Sequence, residues 1–167
     1  MNTTSLSNRV FGDGSNNRLV LLDRALVALV VGMAAFVTVS VVSHGIDNQV
    51  FEIALRTLSV CLVVGLIATP LGLILTQVPK TRRPAAVALV AASTILAFGV
   101  WMASVIAAWD YVGKVGTTIG LAAGGVGVIA VASGSALWSG DYLPGTALIL
   151  ATALVVFLRR FAFYAVR

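Results

Sequence analysis

Residues 85–109 read AAVALVAASTILAFGVWMASVIAAW, a stretch without one charged side chain. An α-helix rises about 1.5 Å per residue, so about 20 such residues cross the ~30 Å hydrocarbon core of a bilayer. Four further runs lack Asp, Glu, Lys and Arg, and every charged residue of the 167-residue chain lies between or outside these five runs. The pattern predicts an integral membrane protein.

The predicted fold is all-α, a polytopic membrane bundle of five transmembrane helices, with four as the alternative count. One helical domain of residues 25–166 is expected to contain the spans 25–44, 54–78, 85–109, 115–138 and 143–163. Residues 1–24 are polar and are expected to form a flexible tail or a surface helix. The first span is expected to be retained rather than cleaved as a signal peptide, because the polar segment before it is long.

Composition and charge exclude other classes of protein. Hydrophobic residues make up 59% of the chain and charged residues 10%, which is outside the range of soluble domains. The formal net charge of +5 could favour nucleic acid or anionic lipid. The basic residues flank the apolar runs and are not interleaved with aromatics, so we predict contact with a lipid bilayer and no nucleic-acid partner.

Charge placement also predicts the topology and the residues that anchor the spans. Lys and Arg are more frequent before the first span and between the second and third, which predicts an inside N-terminus in a cell or virion membrane. Trp109 and Tyr111 are expected at the outer surface, and Trp138 and Tyr142 at the inner surface. The full set of predicted interfacial anchors is Arg24, Arg56, Lys80, Arg82, Arg83, Trp109, Tyr111, Trp138, Tyr142, Arg159 and Arg160.

The C-terminal segment contains a conflict between length and charge. Five crossings from an inside start place Arg159, Arg160 and Arg167 outside, whereas the charge bias favours an inside position. The fourth run is long enough to cross and residues 139–142 form a good turn, so five crossings with an outside C-terminus are favoured. The alternative is a hairpin within residues 115–158 that does not cross fully twice, which gives four crossings.

The fourth run repeats glycine at intervals of four and of seven residues. Such positions would lie on neighbouring stripes of one helix, where the missing side chains let another backbone approach closely in lipid. This glycine zipper predicts either self-association or central packing against helices of the same chain, and the second reading is favoured. The predicted helix-packing residues are Gly113, Gly116, Gly120, Gly124, Gly127 and Gly134.

Other sequence features argue against a catalytic role for this chain. Pro70 interrupts the second run and predicts a kink, because it removes one backbone hydrogen bond. No HExxH, P-loop or GxSxG motif is present, and no ionisable residue lies near the centre of a span. We therefore expect no enzyme activity and no catalytic, cofactor-binding or metal-binding residues.

Two functions fit the pattern. The favoured one is a non-catalytic structural or assembly subunit of a larger membrane complex, such as a virion envelope or an accessory subunit of an energy-transducing complex. Such a subunit would have homo- or hetero-oligomeric partners in the membrane. The alternative is an oligomeric pore or transporter subunit built around the glycine-rich fourth helix, which permeability measurements would distinguish.

Overall fold

The structure, a computed structural model, describes residues 4–44, 46, 48–78, 80–123 and 126–166. Within these ranges the chain forms five helices and no strand, which confirms the predicted all-α bundle. The helices are α1 Thr4–His44, α2 Asn48–Thr76, α3 Arg82–Ala122, α4 Val126–Trp138 and α5 Tyr142–Val166.

Four of these helices are long and apolar enough to cross a membrane, and the chain is accordingly a membrane protein. The exception is α4, whose 13 residues extend only about 20 Å at the usual helical rise. The helix that is too short to cross is therefore the fourth, although the sequence predicted a full span at 115–138. The fifth helix contains 25 residues because it continues past Arg159 and Arg160 to Val166.

The first helix begins well before the first span. Residues 4–24 and the apolar segment belong to one helix, Thr4–His44, and the candidate span within it is Val20–Val41. The structure thus has helix at residues 4–24, one of the two forms that the sequence left open. The segment lacks proline, and a helix that has already formed extends by one hydrogen bond for each residue added.

The third helix occupies the centre of the bundle. In its most apolar window 67% of residues are buried, against 17% in α2 and α5 and 0% in α1. The outer helices turn large side chains outward, for example Phe36 of α1 and Leu66 of α2. Lipid chains are as apolar as these side chains, so exposing them in a bilayer carries no penalty of the kind it carries in water.

Two clusters of buried side chains show how the helices are oriented. One cluster joins the end of α5 to the start of α3 through Leu158, Leu89 and Val90, with Leu26 of α1 and Leu73 of α2 packed against it. The other cluster lies farther along and joins the later part of α3 to the beginning of α5. Helix α5 therefore runs antiparallel to α3, and its last turns lie beside the start of the apolar segment of α1.

An ion pair fixes the C-terminal segment to the first helix. Arg159 Nη2 donates a hydrogen bond of 2.6 Å to Asp23 Oδ1, and the two side chains are 32% and 16% exposed. The end of α5 and the start of the apolar segment of α1, Val20–Val41, thus lie at the same end of the bundle. We call this the basic end, because Arg24, Lys80, Arg82, Arg83, Arg159 and Arg160 lie at it.

The side of the membrane on which the C-terminus lies stays a prediction. The structure places the end of α5 beside the start of the apolar segment of α1, and this placement favours four crossings, by α1, α2, α3 and α5, over the predicted five. The charge bias of Arg159 and Arg160 agrees with four crossings, because an even number returns the chain to its starting side.

Site-specific labelling can check the four-crossing arrangement. In a Cys61→Ala background, single cysteines replace Gln77 after α2 and Ser139 before α5, and a reporter follows Arg167. We expect Gln77 and the reporter on one side of the membrane and Ser139 on the other. A five-crossing chain would instead place Gln77 and Ser139 together, opposite the reporter.

Candidate functional site

The fourth uncharged run begins with a break in helix α3. Gly113 has φ +65° and ψ −167°, a backbone conformation that is essentially restricted to glycine. Residues 82–112 and 114–122 are therefore two helical segments that meet at this glycine. The continuous helix predicted over 115–138 is corrected to two arms, 114–122 and α4, which we call the hairpin.

The hairpin enters and leaves at the same end of the bundle. Tyr111 Oη donates a hydrogen bond of 2.9 Å to Asp141 Oδ2, although the two residues are 30 positions apart in the chain. Tyr111 precedes the hairpin and Asp141 follows it, so both ends of the hairpin lie opposite the basic end. The hairpin thus has the form of a re-entrant segment, and Leu121 and Val128, near the inner ends of its two arms, are buried in protein.

The two arms of the hairpin touch through their backbones. A Cβ added to Gly120 would lie 2.9 Å from Val128 Cα, and one added to Gly127 would lie 2.8 Å from the carbonyl oxygen of Gly120. On the outer side, a Cβ on Gly145 of α5 would lie 3.1 Å from the Ser133 carbonyl oxygen. Glycine at these positions lets α4 pack closely between the first arm and α5.

The remaining predicted glycines do not lie at the contact between the two arms. Gly116 lies against the side chain of Val112, whereas a Cβ on Gly134 would meet nothing within 4 Å. Gly113 forms the break itself, and Gly124 lies outside the described residues. The single-helix glycine zipper is therefore corrected, because Gly113, Gly120 and Gly127 belong to different helical segments or to the boundary between them.

A second stripe of small residues, which the sequence reasoning missed, holds α2 against α3. Gly65 packs on the side chain of Leu96, and a Cβ on Gly72 would lie 2.6 Å from Leu89 Cδ2. Cys61 faces Gly99 in the same interface, at 2.9 Å from the position of an added Cβ. The signal was present as spacings of seven and four in the second run, at Ala54, Cys61, Gly65, Gly72 and Thr76.

Pro70 lies within α2, which remains one helix from Asn48 to Thr76, and the predicted kink stays a prediction. The neighbouring Thr69 hydroxyl is buried and has no hydrogen-bond partner. Both residues line an apolar groove of about 430 Å³ between α2, α3 and α5. A gap of this kind beside a proline reduces contact between helices locally, while the glycine contacts on either side keep α2 attached.

Apart from that of Thr69, the buried hydroxyl groups for which the structure gives a hydrogen bond donate to carbonyl oxygens of the preceding helical turn. Ser93 and Thr94 donate to the Val90 carbonyl oxygen, and Ser104 donates to that of Val100. In the hairpin, Thr117 donates to the Gly113 carbonyl oxygen and Ser133 to that of Ile129. Such bonds satisfy a hydroxyl without a partner helix, so they do not form a polar path through the protein.

The predicted interfacial anchors divide between the two ends of the bundle. The basic end holds the six described residues named above, and the opposite end holds Arg56, Trp109, Tyr111, Trp138 and Tyr142. Trp138 and Tyr142 were expected at the inner surface, and this is corrected because Asp141 lies beside Tyr111. Arg56 donates to Glu52 at 2.6 Å as its spacing predicted, with side chains 78% and 65% exposed.

No family model, curated protein or solved structure matches this chain. Within the described ranges, no group of three His, Cys, Asp or Glu side chains could hold a metal ion. The candidate site is therefore the re-entrant hairpin together with the apolar helix faces around it. Its arrangement provides close backbone contacts and lipid-facing surface.

Proposed function

We propose that this protein is a non-catalytic structural or assembly subunit of a larger membrane complex. The observation that carries the proposal is the uneven burial of its four long helices. Helix α3 is enclosed by its neighbours, whereas no residue of the apolar window of α1 is buried. A small subunit built in this way has a rigid centre and outer helices whose faces are free to contact lipid and partner helices.

The first helix is the element best suited to contact a partner. Leu29, Met33 and Phe36 are all exposed on α1, and Gly32 has open space around its Cα. Small residues beside large apolar ones permit close helix packing in lipid, where van der Waals contact replaces the hydrophobic effect. The partners would be copies of this chain or other membrane subunits, as in a virion envelope or an energy-transducing complex.

The proposed orientation places the basic end, and with it both termini, inside the cell or virion. Arg24, Lys80, Arg82, Arg83, Arg159 and Arg160 lie at this end with Asp23, whereas the described charged residues of the opposite end are Glu52, Asp110, Asp141, Arg56 and Lys114. Lys and Arg are retained on the inner side during insertion, and acidic residues contribute little to orientation. The charge difference therefore supports an inside start for α1.

A pore or transporter subunit is the second candidate, and the hairpin is the feature that favours it. Re-entrant segments line selectivity filters in some channels, where irregular backbone borders a water-filled cavity. Here the two arms approach to backbone contact at Gly120 and Val128, and the hydroxyls of Thr117 and Ser133 bond to their own helices. These contacts support a packing role for the hairpin over a conducting one.

Two measurements on the purified full-length chain test the proposal. In mild detergent we expect it to elute with stoichiometric membrane partners or as a discrete homo-oligomer. In liposomes we expect ion and small-solute permeability equal to that of empty vesicles, because no polar stripe or charged ring crosses the described part of the bundle. A reproducible conductance that Gly120→Leu abolishes would instead establish the pore reading.

A further inference from the structure

A cleft at the basic end combines two guanidinium groups with an apolar wall. Its volume is about 720 Å³, and the described residues that line it are Val155, Val156, Arg159, Arg160, Phe163 and Tyr164. All six belong to one side of α5, near the helix end. The two valines precede the arginines in the chain and the two aromatic residues follow them, so the lining changes from apolar to basic along the helix axis.

We propose that this cleft binds an anionic phospholipid, with the phosphate on Arg160 and Arg159 and an acyl chain along Val155 and Val156. The depth of the arginines supports this placement. Arg159 follows Tyr142 by 17 positions, about 26 Å along the helix axis and close to the ~30 Å thickness of the hydrocarbon core. With Tyr142 at one membrane surface, the guanidinium groups reach the headgroup layer of the other.

Charge complementarity favours an anionic headgroup. Arg159 is held by Asp23 at 2.6 Å, while no described carboxylate lies within ion-pair distance of Arg160. The exposed Arg160 guanidinium is therefore free to bind a phosphate with two parallel hydrogen bonds. Neighbouring basic residues at the same end add a positive potential that attracts anionic lipids to this surface.

The apolar wall distinguishes a lipid from a soluble phosphate. Val155 and Val156 lie on the bilayer side of the arginines. Val155 is half-buried against the core, whereas Val156 is exposed, so a hydrocarbon chain would cover mainly Val156. Phe163 and Tyr164 lie on the other side, at a depth where aromatic side chains commonly contact headgroups. Free phosphate would leave Val156 uncovered and would gain nothing from it.

Native mass spectrometry of the full-length chain in detergent tests the site. The probes are dioleoyl phosphatidylglycerol and dioleoyl phosphatidylcholine, which have the same acyl chains but differ in net charge. We expect preferential retention of phosphatidylglycerol and no displacement of it by inorganic phosphate. Arg160→Gln should weaken phosphatidylglycerol binding about fivefold, since one basic residue at an anionic surface contributes on that order, and Arg160→Lys should restore part of it.

The matched control is Arg83→Gln, which removes an exposed arginine at the same end but on α3. It should leave the preference for phosphatidylglycerol over phosphatidylcholine within about twofold of that of the unmodified chain, because it changes only the electrostatic potential from a charge outside the cleft. Equal retention of the two lipids by the unmodified chain would overturn the proposal. So would an equal loss in the Arg83→Gln and Arg160→Gln variants, or displacement of the lipid by inorganic phosphate.

Discussion

Gly120→Leu is expected to lower the free energy of unfolding by roughly 1 to 3 kcal/mol and to separate the two arms of the hairpin. A Cβ at this position would lie 2.9 Å from Val128 Cα and 3.2 Å from its backbone nitrogen. Both are backbone atoms of Val128, which is fully buried, so neither can move aside as the end of a flexible side chain could. The measurement is thermal or denaturant unfolding of purified protein in detergent, followed by circular dichroism.

Gly134→Leu is the matched control for this variant. Gly134 is also a helical glycine of the predicted packing set, but a Cβ there meets nothing within 4 Å. Replacing an exposed helical glycine removes a poor helix former, worth about 1 kcal/mol, so equal or slightly higher stability is expected. If Gly120→Leu and Gly134→Leu behave alike, the backbone contact across the hairpin does not hold its arms together.

The second large effect is expected at the ion pair between Asp23 and Arg159. Arg159→Gln should cost roughly 2 kcal/mol, because it removes a charged hydrogen bond of 2.6 Å and leaves a largely buried carboxylate without its partner. The same change in the exposed pair, Arg56→Gln, should cost at most about 0.5 kcal/mol. Unfolding in detergent at low salt measures both.

A charge swap separates pairing from the effect of either side chain alone. Asp23→Arg and Arg159→Asp should each destabilise the protein, since each places like charges together at the junction of α1 and α5. The double variant should recover at least half of the summed loss, because the two charges again attract. Additive losses in the double variant would show that the two helices do not meet through this pair.

The helices themselves could be predicted from the sequence because lipid leaves few alternatives. Backbone polar groups in hydrocarbon must bond to each other, so an apolar run such as 85–109 has to be helical. The runs at 25–44 and 54–78 follow the same rule: the first lies within α1, and the second lies in α2 except for its last two residues, since α2 ends at Thr76. Neither the polar start of α1 nor the length of α5 followed from hydropathy, since a helix can continue past the charges at Arg24 and Arg159.

The re-entrant path of the fourth run could not be read in the same way. Hydropathy measures transfer into lipid, and residues 115–138 are equally apolar whether they cross once or turn back. The positive φ of Gly113 decides the path, and a glycine in a sequence does not reveal its dihedral angles. The basic residues at the chain's end were the sequence signal that favoured a path that turns back. With such a path the number of crossings is even, which places these residues beside the first helix.

Glycine spacing likewise identified close packing without identifying the contacting partner. Gly120 lies close to the backbone of Val128, which belongs to the second arm of the same hairpin. Gly65 and Gly72, which pack on α3, are also regularly spaced, but they lie in the second run, which contains fewer glycines. The sequence by itself determined that the chain lies in a lipid bilayer, which segments are helical and that the two ends differ in charge, since each of these depends on local composition. The tertiary structure decided which helices meet and where the chain turns back, because those depend on contacts between residues far apart in the chain, such as Asp23 and Arg159.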